Sequence, residues 1–425
     1  MILNEELQAI QDGVQGEAMQ KVLNTLIMYG EAFGARRMVK ITGQMGHCVI
    51  ATGTITWKPV FDLMQKLIDG GAICKEAFTT DLRGFEKGVP ATLPQKVVFD
   101  IIFSQQKRME KEWKALGIKD DKAYTCTCYM PEVGNIPRKG EILGWAESSA
   151  VSYANSVCGA RCNRNSGVLE MMSNILGYVP EFGLLTDEGR KADYIIEIHT
   201  SKKPEPQILG SAIGMKVIDK VPYIKGLDQW IGTTLDQETR DYLKDMGAAA
   251  ASNGSVGLYH VDHLTPEAVE QGETLIKENA RTIVIDDETL KKTEESYPNI
   301  WKDPDGKPEL AFAGCPHFST LQLKQWTERL QKELENNHLD ALTIPAVFTA
   351  APDVVDHFNT AYPAYASYLR KIGVTVCSIC PLSYCANSLV RPVNVMTCSN
   401  KLRTYSHARF YNEEDFIKIL TGGSI

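Results

Sequence analysis

Three cysteines carry the most specific chemical suggestion in this chain. Cys126 in TCTCYM, Cys315 in AGCPHF and Cys380 in CSICPL lie far apart, each in a short segment that also holds proline or tyrosine. Three thiolates can hold a cubane iron-sulfur cluster by three corners and leave the fourth iron open, free to bind a substrate hydroxyl as a Lewis acid. That is the requirement of a dehydrating enzyme; an electron carrier would use a fourth thiolate. Single ligands on separate elements suit a site at a domain junction better than a self-contained zinc knuckle. Spacing alone does not select these three from the eleven cysteines present. Cys377 and Cys385 flank Cys380 and invite a zinc reading, but residues 377 and 380 on an extended segment point to different faces. A thiol-redox pair at Cys377 and Cys380 lacks the helix start that would stabilise a thiolate.

A second constellation begins at Asn135, in NIPRKGEILGWAESSAVSYANSVCGARCNRNSGVLEMM. Its helix is rich in small and hydroxylated residues, including Ser148 and Ser149, so it must either pack closely against something or face a polar pocket. Arg161 and Arg164 follow, three apart, with Asn155 and Asn163 nearby; guanidinium forks suit a carboxylate or phosphate on a small substrate. The competing reading is a small-residue packing seam with two solvated arginines. Glu147, the carboxylate of that helix, is expected either to be buried with a raised pKa or to pair with a nearby arginine, the commoner outcome. His47 in MGH and His317 in GCPH are acid/base or ligand-orienting candidates, and for His317, two residues from a cysteine, orientation is the expected role. His260 and His263 carry no motif and read as structural.

Alternating elements must position these groups. Asn4 caps a short helix ending near Gly13, and a second helix is expected over Gly16 to Gly34. The strand MVKIT, a helix from Lys58 to Ile68, the strand ICKEAF, one long helical segment from Lys96 to Leu116 and the strand AYTCTCY follow. YIIEIH, VGLYHV, TIVID, LAFAG, LTIPAV and VTVCSI are short strands between helices, and Leu323, Trp326, Leu330 and Leu334 form one apolar helical stripe. Helices between strands imply an α/β fold whose mainly parallel sheets are flanked by helices, with ligands at the carboxyl ends of strands. The three cysteines fall at or just past such ends. Residues 202–207 and 299–309, rich in proline and charge, are candidate domain boundaries or surface loops.

Composition narrows the setting. The 425 residues, 44% hydrophobic and 23% charged, suffice for two or three domains. With 45 Lys plus Arg against 53 Asp plus Glu, the net charge is -8, and no basic run offers a footprint for nucleic acid. No apolar stretch of about 18 residues occurs and the N-terminus is acidic, so neither a membrane span nor a leader is expected. An odd number of irregularly spaced cysteines fits a reducing, cytoplasmic compartment.

The segment GWAESSAVSYANSVCGARCNRNSG resembles the signature of the aconitase X family, and the likeness extends to both sides. EELQAIQDGVQGEAMQKVLNTLIMYGEAFGARRMVKITGQMGH resembles the family's opening; AGCPHFS, the ICP element at Cys380 and the MTCSNKLRTYSHARFY tail are similar to later motifs, in the right order. The resemblance runs from about residue 4 to about residue 415, nearly the whole chain. It implies an aconitase-like multi-domain catalytic core of three α/β domains around an iron-containing centre, lacking the swivelling domain. It implies a hydro-lyase acting on cis-3-hydroxy-L-proline or a similar hydroxy acid, with phosphorylated mevalonate as the alternative and a non-catalytic metabolite or metal binder as the reading from another class. Its motifs make Cys126, Cys315 and Cys380 the ligands of a cluster, a four-iron cubane first, with a two-iron cluster or a mononuclear iron as alternatives. Cys128 stands where the family motif has proline, so it competes with Cys126. Lys401 and Ser399 in TCSNK, with Tyr405 beyond, resemble a substrate-binding segment. Because the chain opens on the large-subunit motif and stops soon after the tail motif, a separate small swivelling subunit is the expected partner.

Overall fold

The computed structural model describes residues 1–50, 52–86 and 88–423. Two all-parallel sheets organise it. The larger runs, in spatial order, Val374–Cys377, Ala346–Ala350, Leu310–Phe318, Val395–Thr397 and Arg409–Phe410, each neighbour parallel to the next. The smaller runs His260–Val261, Pro222–Lys225, Ala192–His199 and Ile276–Asp286. The central strand Leu310–Phe318 is buried along its whole length, as a strand covered on both faces must be. One cover is the helix Thr320–Asn336, started by a Ser319/Gln322 capping box and burying Leu323, Trp326, Leu330 and Leu334.

The N-terminal part builds a third, smaller parallel array. Gly46–Cys48 pairs with Phe78–Thr80, and single parallel bridges join Trp145 to His47 and Tyr124 to Thr80. Met38–Lys40 pairs antiparallel with Tyr178–Pro180 beside it. A parallel bridge from Arg83 to Ile379 ties this array to the larger sheet. Parallel pairing sends the chain out of every strand at the same edge. Asp81, Cys126 and Glu147 therefore emerge together from one array, and Cys380, Ser399 and Lys401 from the other.

Several expected elements differ. The segment Lys96 to Leu116 is two helices, Leu93–Ile102 and Gln106–Leu116, because the amide of Gln105 bonds the carbonyl of Gly53 and the Phe103 ring packs onto Gly84. AYTCTCY forms no strand beyond the bridge at Tyr124, since the Thr127 amide turns back to the Thr125 hydroxyl. Pairing in ICKEAF starts only at Phe78 and continues to Thr80, and VGLYHV pairs only at His260–Val261. Residues 202–207 connect the strand Ala192–His199 to the helix Pro206–Val217. Residues 299–309 connect the two large sheets, anchored by Trp301, whose indole N–H donates to the Val395 carbonyl at 3.2 Å.

The small-residue helix Ser148–Ser156 is buried at every position after Ser148. It packs against the helix Gln237–Gly254, which also carries Asn400–Tyr405 and the helix Pro206–Val217. That last contact depends on missing side chains: a Cβ at Gly254 would lie 1.9 Å from the Gly214 carbonyl oxygen.

Glu170, on the helix Gly167–Leu176, is a buried carboxyl with one oxygen 2.6 Å from the Asn165 amide and the other without a partner. Burial, only partly opposed by that bond, pushes its pKa from 4.5 up to about 8. The unfolded chain ionises this group first, so its contribution is fully present below pH 4.5 and is lost as pH rises to about 8. Glu170→Gln is expected to flatten the fall in stability across that window and to stabilise the protein at the alkaline end by a few kcal/mol, read from urea unfolding at several pH values.

Candidate active site

The three cysteines converge. Cys126 and Cys380 share one small apolar cluster with Leu82. Cys315 lies within electrostatic reach of both, and burial pushes all three thiols up, Cys380 to about 12. Uncoordinated, they are protonated and inert; metal binding would have to displace those protons.

His317 joins the three segments. Its Nε2 lies 3.2 Å from the Ile379 carbonyl, beside Cys380, and its Nδ1 lies 3.2 Å from the Thr125 hydroxyl, beside Cys126. A carbonyl only accepts, so Nε2 donates and Nδ1 receives the hydroxyl proton; the tautomer follows from the bonds. Burial takes the pKa of this imidazole down to about 3, and the His317 backbone N–H reaches the Cys126 thiol. Lys244 Nζ donates to the His317 carbonyl at 2.9 Å and to Gln322 Oε1 at 2.6 Å. His317 thus orients the cysteine segments, as its place in the sequence predicts.

Above the cysteines lies a buried ion pair, Lys401 with Glu147. Burial alone would lower the pKa of Lys401, but Glu147 and the neighbouring Cys126 and Cys315 outweigh it and the ammonium is held charged. For Glu147, burial raises the pKa and Lys401 more than offsets it, leaving the carboxylate below its ordinary value. Glu147 occupies the position before the helix Ser148–Ser156 with φ of 95°, a left-handed backbone that a side chain rarely adopts. Its carboxylate accepts from the Ala150 amide at 2.7 Å and the Ser149 hydroxyl at 2.5 Å, and Lys401 also reaches Ser149 Oγ at 3.3 Å. Ser399 caps the helix Asn400–Tyr405, and its hydroxyl donates to the Cys315 carbonyl.

His47 stands beside this pair. Its Nδ1 lies 2.9 Å from the Thr79 hydroxyl, its Nε2 is buried without a partner, and burial lowers its pKa to about 4 while Glu147 opposes. Asp81, which sequence reasoning did not single out, faces Cys380 and the Lys401–Glu147 pair; burial raises its carboxyl to about 6. The signal for it was the strand-end rule, missed because the strand over residues 73–78 was expected too early in the chain. Thr125 and Lys244 were missed as well, and their role is visible only through His317.

Other expected residues lie elsewhere. The carboxylate clamp is not assembled from Arg161 and Arg164: Arg161 pairs with Asp187 and donates to the Leu185 carbonyl, and Arg164 pairs with Asp219. Asn155 binds the backbone of Cys162 and Gly257, and Asn163 holds the Phe182 carbonyl and the Leu184 amide. Small residues from Ser148 to Ser156 make a packing seam, and that seam turns these polar ends toward neighbouring loops. Ser148 opens the helix and is half-buried; Tyr405 is exposed, its hydroxyl 3.5 Å from the Ser252 carbonyl. Cys128 is buried against the Thr79 hydroxyl, with Cys126 and Cys158 as its neighbouring thiols. Cys385 lies near Cys315 and Cys380 and bonds Ser406, while Cys377 packs in the apolar cluster.

Among the described residues no three His, Cys, Asp or Glu side chains close tightly enough around one point to hold a single metal ion. Thiolates around a multi-iron cluster stand further apart than those around one ion, so the three convergent thiols need not close on a single point to hold an iron-sulfur group. The open clefts, of about 700 Å³ beside Lys21 and Met172 and about 460 Å³ beside Trp326 and Arg329, are not lined by cysteine.

Removing one member of the Lys401–Glu147 pair strands a buried charge. Lys401→Met and Glu147→Gln are each expected to cost about 3–5 kcal/mol in urea unfolding, and the double variant less than the sum.

Family models for the aconitase X first domain and second domain match residues 1–188 and 192–295. The phosphomevalonate dehydratase large subunit of Thermococcus kodakarensis is 31% identical over 83% of this chain and 81% of its own length. That of Methanocaldococcus jannaschii is 30% identical over 80% of this chain and 81% of its own. The cis-3-hydroxy-L-proline dehydratase of Pseudomonas aeruginosa is 28% identical over 75% of this chain but only 52% of its own length. The crystal structure of Thermococcus kodakaraensis aconitase X in its holo-form superposes with a TM-score of 0.81 at 27% identity, covering 99% of this chain and all of that one. No described helix is long and apolar enough to cross a membrane. With both domain models matched in order and relatives aligned along four-fifths of its length, the chain belongs to the aconitase X family.

Proposed function

We propose that this chain is the large catalytic subunit of an iron-sulfur hydro-lyase that removes water from a small hydroxy acid. The observation that carries the reading is the convergence of Cys126, Cys315 and Cys380 beneath the buried Lys401–Glu147 pair. Those three thiols would hold the cluster, whose open iron supplies Lewis-acid activation of the leaving hydroxyl. The rest falls to the chain. Lys401 Nζ, supported by Ser149, takes the substrate carboxylate and offsets the charge that develops beside it. Glu147 and His47 Nε2 are the acceptors for the proton on the carbon next to that carboxylate, and Ser399 keeps the Cys315 segment in place. Family resemblance brings Ser148, Asn155, Arg161, Asn163, Arg164 and Tyr405 to the list, but their hydrogen bonds favour a supporting role.

The charge balance favours cis-3-hydroxy-L-proline. Lys401 is paired with Glu147, Arg83 with Glu110 and Lys244 with Asp245, while Asp81 adds a carboxyl that suits an imino nitrogen better than a phosphate. Phosphorylated mevalonate is the second reading, favoured by the higher similarity to large subunits named for that reaction. Those names also support a small partner subunit closing over the site. Eleven cysteines, all free, suit a reducing cytoplasm. We take the linker 299–309 as the start of the last domain.

Anaerobic purification with iron and sulfide analysis tests the reading. Wild type and Cys128→Ala should be brown and carry a cluster, while Cys126→Ala, Cys315→Ala and Cys380→Ala should each lose it. Supplied with the small-subunit homologue, the wild type should turn over cis-3-hydroxy-L-proline and not phosphomevalonate. A colourless, iron-free wild type would overturn the hydro-lyase reading in favour of a non-catalytic binder.

A further inference from the structure

The helix Leu93–Ile102 has two apolar faces. Its inward face carries Phe99, which stacks on Phe85 and packs against Tyr384 in the apolar cluster that also contains Cys315, Cys377 and Cys385. Its outward face carries Leu93, Val97 and Ile101, spaced four apart and 76%, 53% and 58% exposed. A helix of a finished monomer carries one apolar stripe; a second, continuous stripe in water marks a surface made for contact. The patch extends at both ends of the helix. Leu389, 42% exposed, is held beside it by bonds between Gln95 and the 387–389 turn. Ile55 and Trp57, 51% and 44% exposed, follow Gly53, whose carbonyl takes the Gln105 amide just past the helix end.

We infer that this face, centred on Leu93, Val97 and Ile101, is where the small partner subunit docks through an apolar surface of its own. The inference rests on the large-subunit reading. Two observations choose that occupant. Relatives of this chain's length are named large subunits, and the cis-3-hydroxy-L-proline dehydratase it resembles, whose name carries no subunit label, is about one and a half times as long, so the same core is completed by further polypeptide. The patch also lies on the outer wall of the cysteine site: the loop leading to this helix carries Leu82, which packs on Cys126 and Cys380, and Ser383, three residues after Cys380, meets Thr52 at 3.3 Å. A partner seated here covers the wall of the site without touching the Lys401–Glu147 pair.

The test uses the full chain and the small-subunit homologue encoded in the same genome. Leu93→Asp/Val97→Asp/Ile101→Asp should weaken their association by at least about 100-fold, with the unfolding temperature and cluster content of the large subunit unchanged. Val14→Asp/Met28→Asp, equally exposed but distant in the chain, should bind as wild type does. A photo-crosslinking residue at position 97 should capture the small subunit and one at position 28 should not, which tests the surface even if the triple variant folds poorly. If wild type and triple variant bind equally, or position 97 captures only a second copy of this chain, the docking surface is overturned while the large-subunit reading stands. If wild type does not bind the small subunit at all, that reading fails and the docking surface falls with it.

Discussion

The buried ion pair between Lys401 and Glu147 is the constraint on which the centre depends. Each charge would be too costly to bury alone, and together they require two chain segments 254 residues apart to meet. Glu147 leaves the N-terminal array after Trp145, and Lys401 leaves the larger sheet after Val395–Thr397, so the pair fixes how the two carboxyl edges face each other. Its cost is lowered by hydrogen bonds from Ser149 and the Ala150 amide, and these hold Glu147 in its left-handed backbone conformation. A charged pair in so dry a place adds little net stability; what it adds is a fixed cation beside a fixed anion where a substrate carboxylate would compete for the cation.

Beneath that pair, His317 does with neutral hydrogen bonds what the ion pair does with charge. One ring holds the residue before Cys126 and the residue before Cys380 while its own strand carries Cys315. Its pKa of about 3 keeps the imidazole neutral throughout the physiological range, so the donor and acceptor roles of its two nitrogens do not change. Three thiols from distant segments are thereby brought together before any metal arrives.

Much of this was legible in the sequence, and the limits have physical causes. The α/β class, the parallel sheets and the stripe from Leu323 to Leu334 follow from periodicity, which buried parallel strands and amphipathic helices express directly. Cys380 was legible as a residue just past a strand end, and His317 as the neighbour of Cys315; Cys315 itself lies inside the strand Leu310–Phe318, which runs on past the expected end at Gly314, and Cys126 follows only the bridge at Tyr124. Asp81 was not, because a strand as short as Phe78–Thr80 gives no reliable register and its end was set too early. The arginines failed for a different reason. A guanidinium announces that it will bind an anion but not which one, and here Asp187 and Asp219, at positions unrelated to the motif, are the anions it found.

The same ambiguity explains why the helix Ser148–Ser156 could be read two ways and why both are partly right. Its small residues let the helix Gln237–Gly254 approach closely, where Gly247 leaves room for the Tyr259 ring and the Ser152 hydroxyl. That approach carries the helix Asn400–Tyr405 to within reach of Glu147, since Gln237–Gly254 packs on both. The seam is therefore not an alternative to the site. Bulkier residues at Ala150, Ser152 or Ala154 would push the two helices apart and separate Lys401 from its carboxylate, so the same small side chains that bury the body of the helix also position the charged residue that caps it.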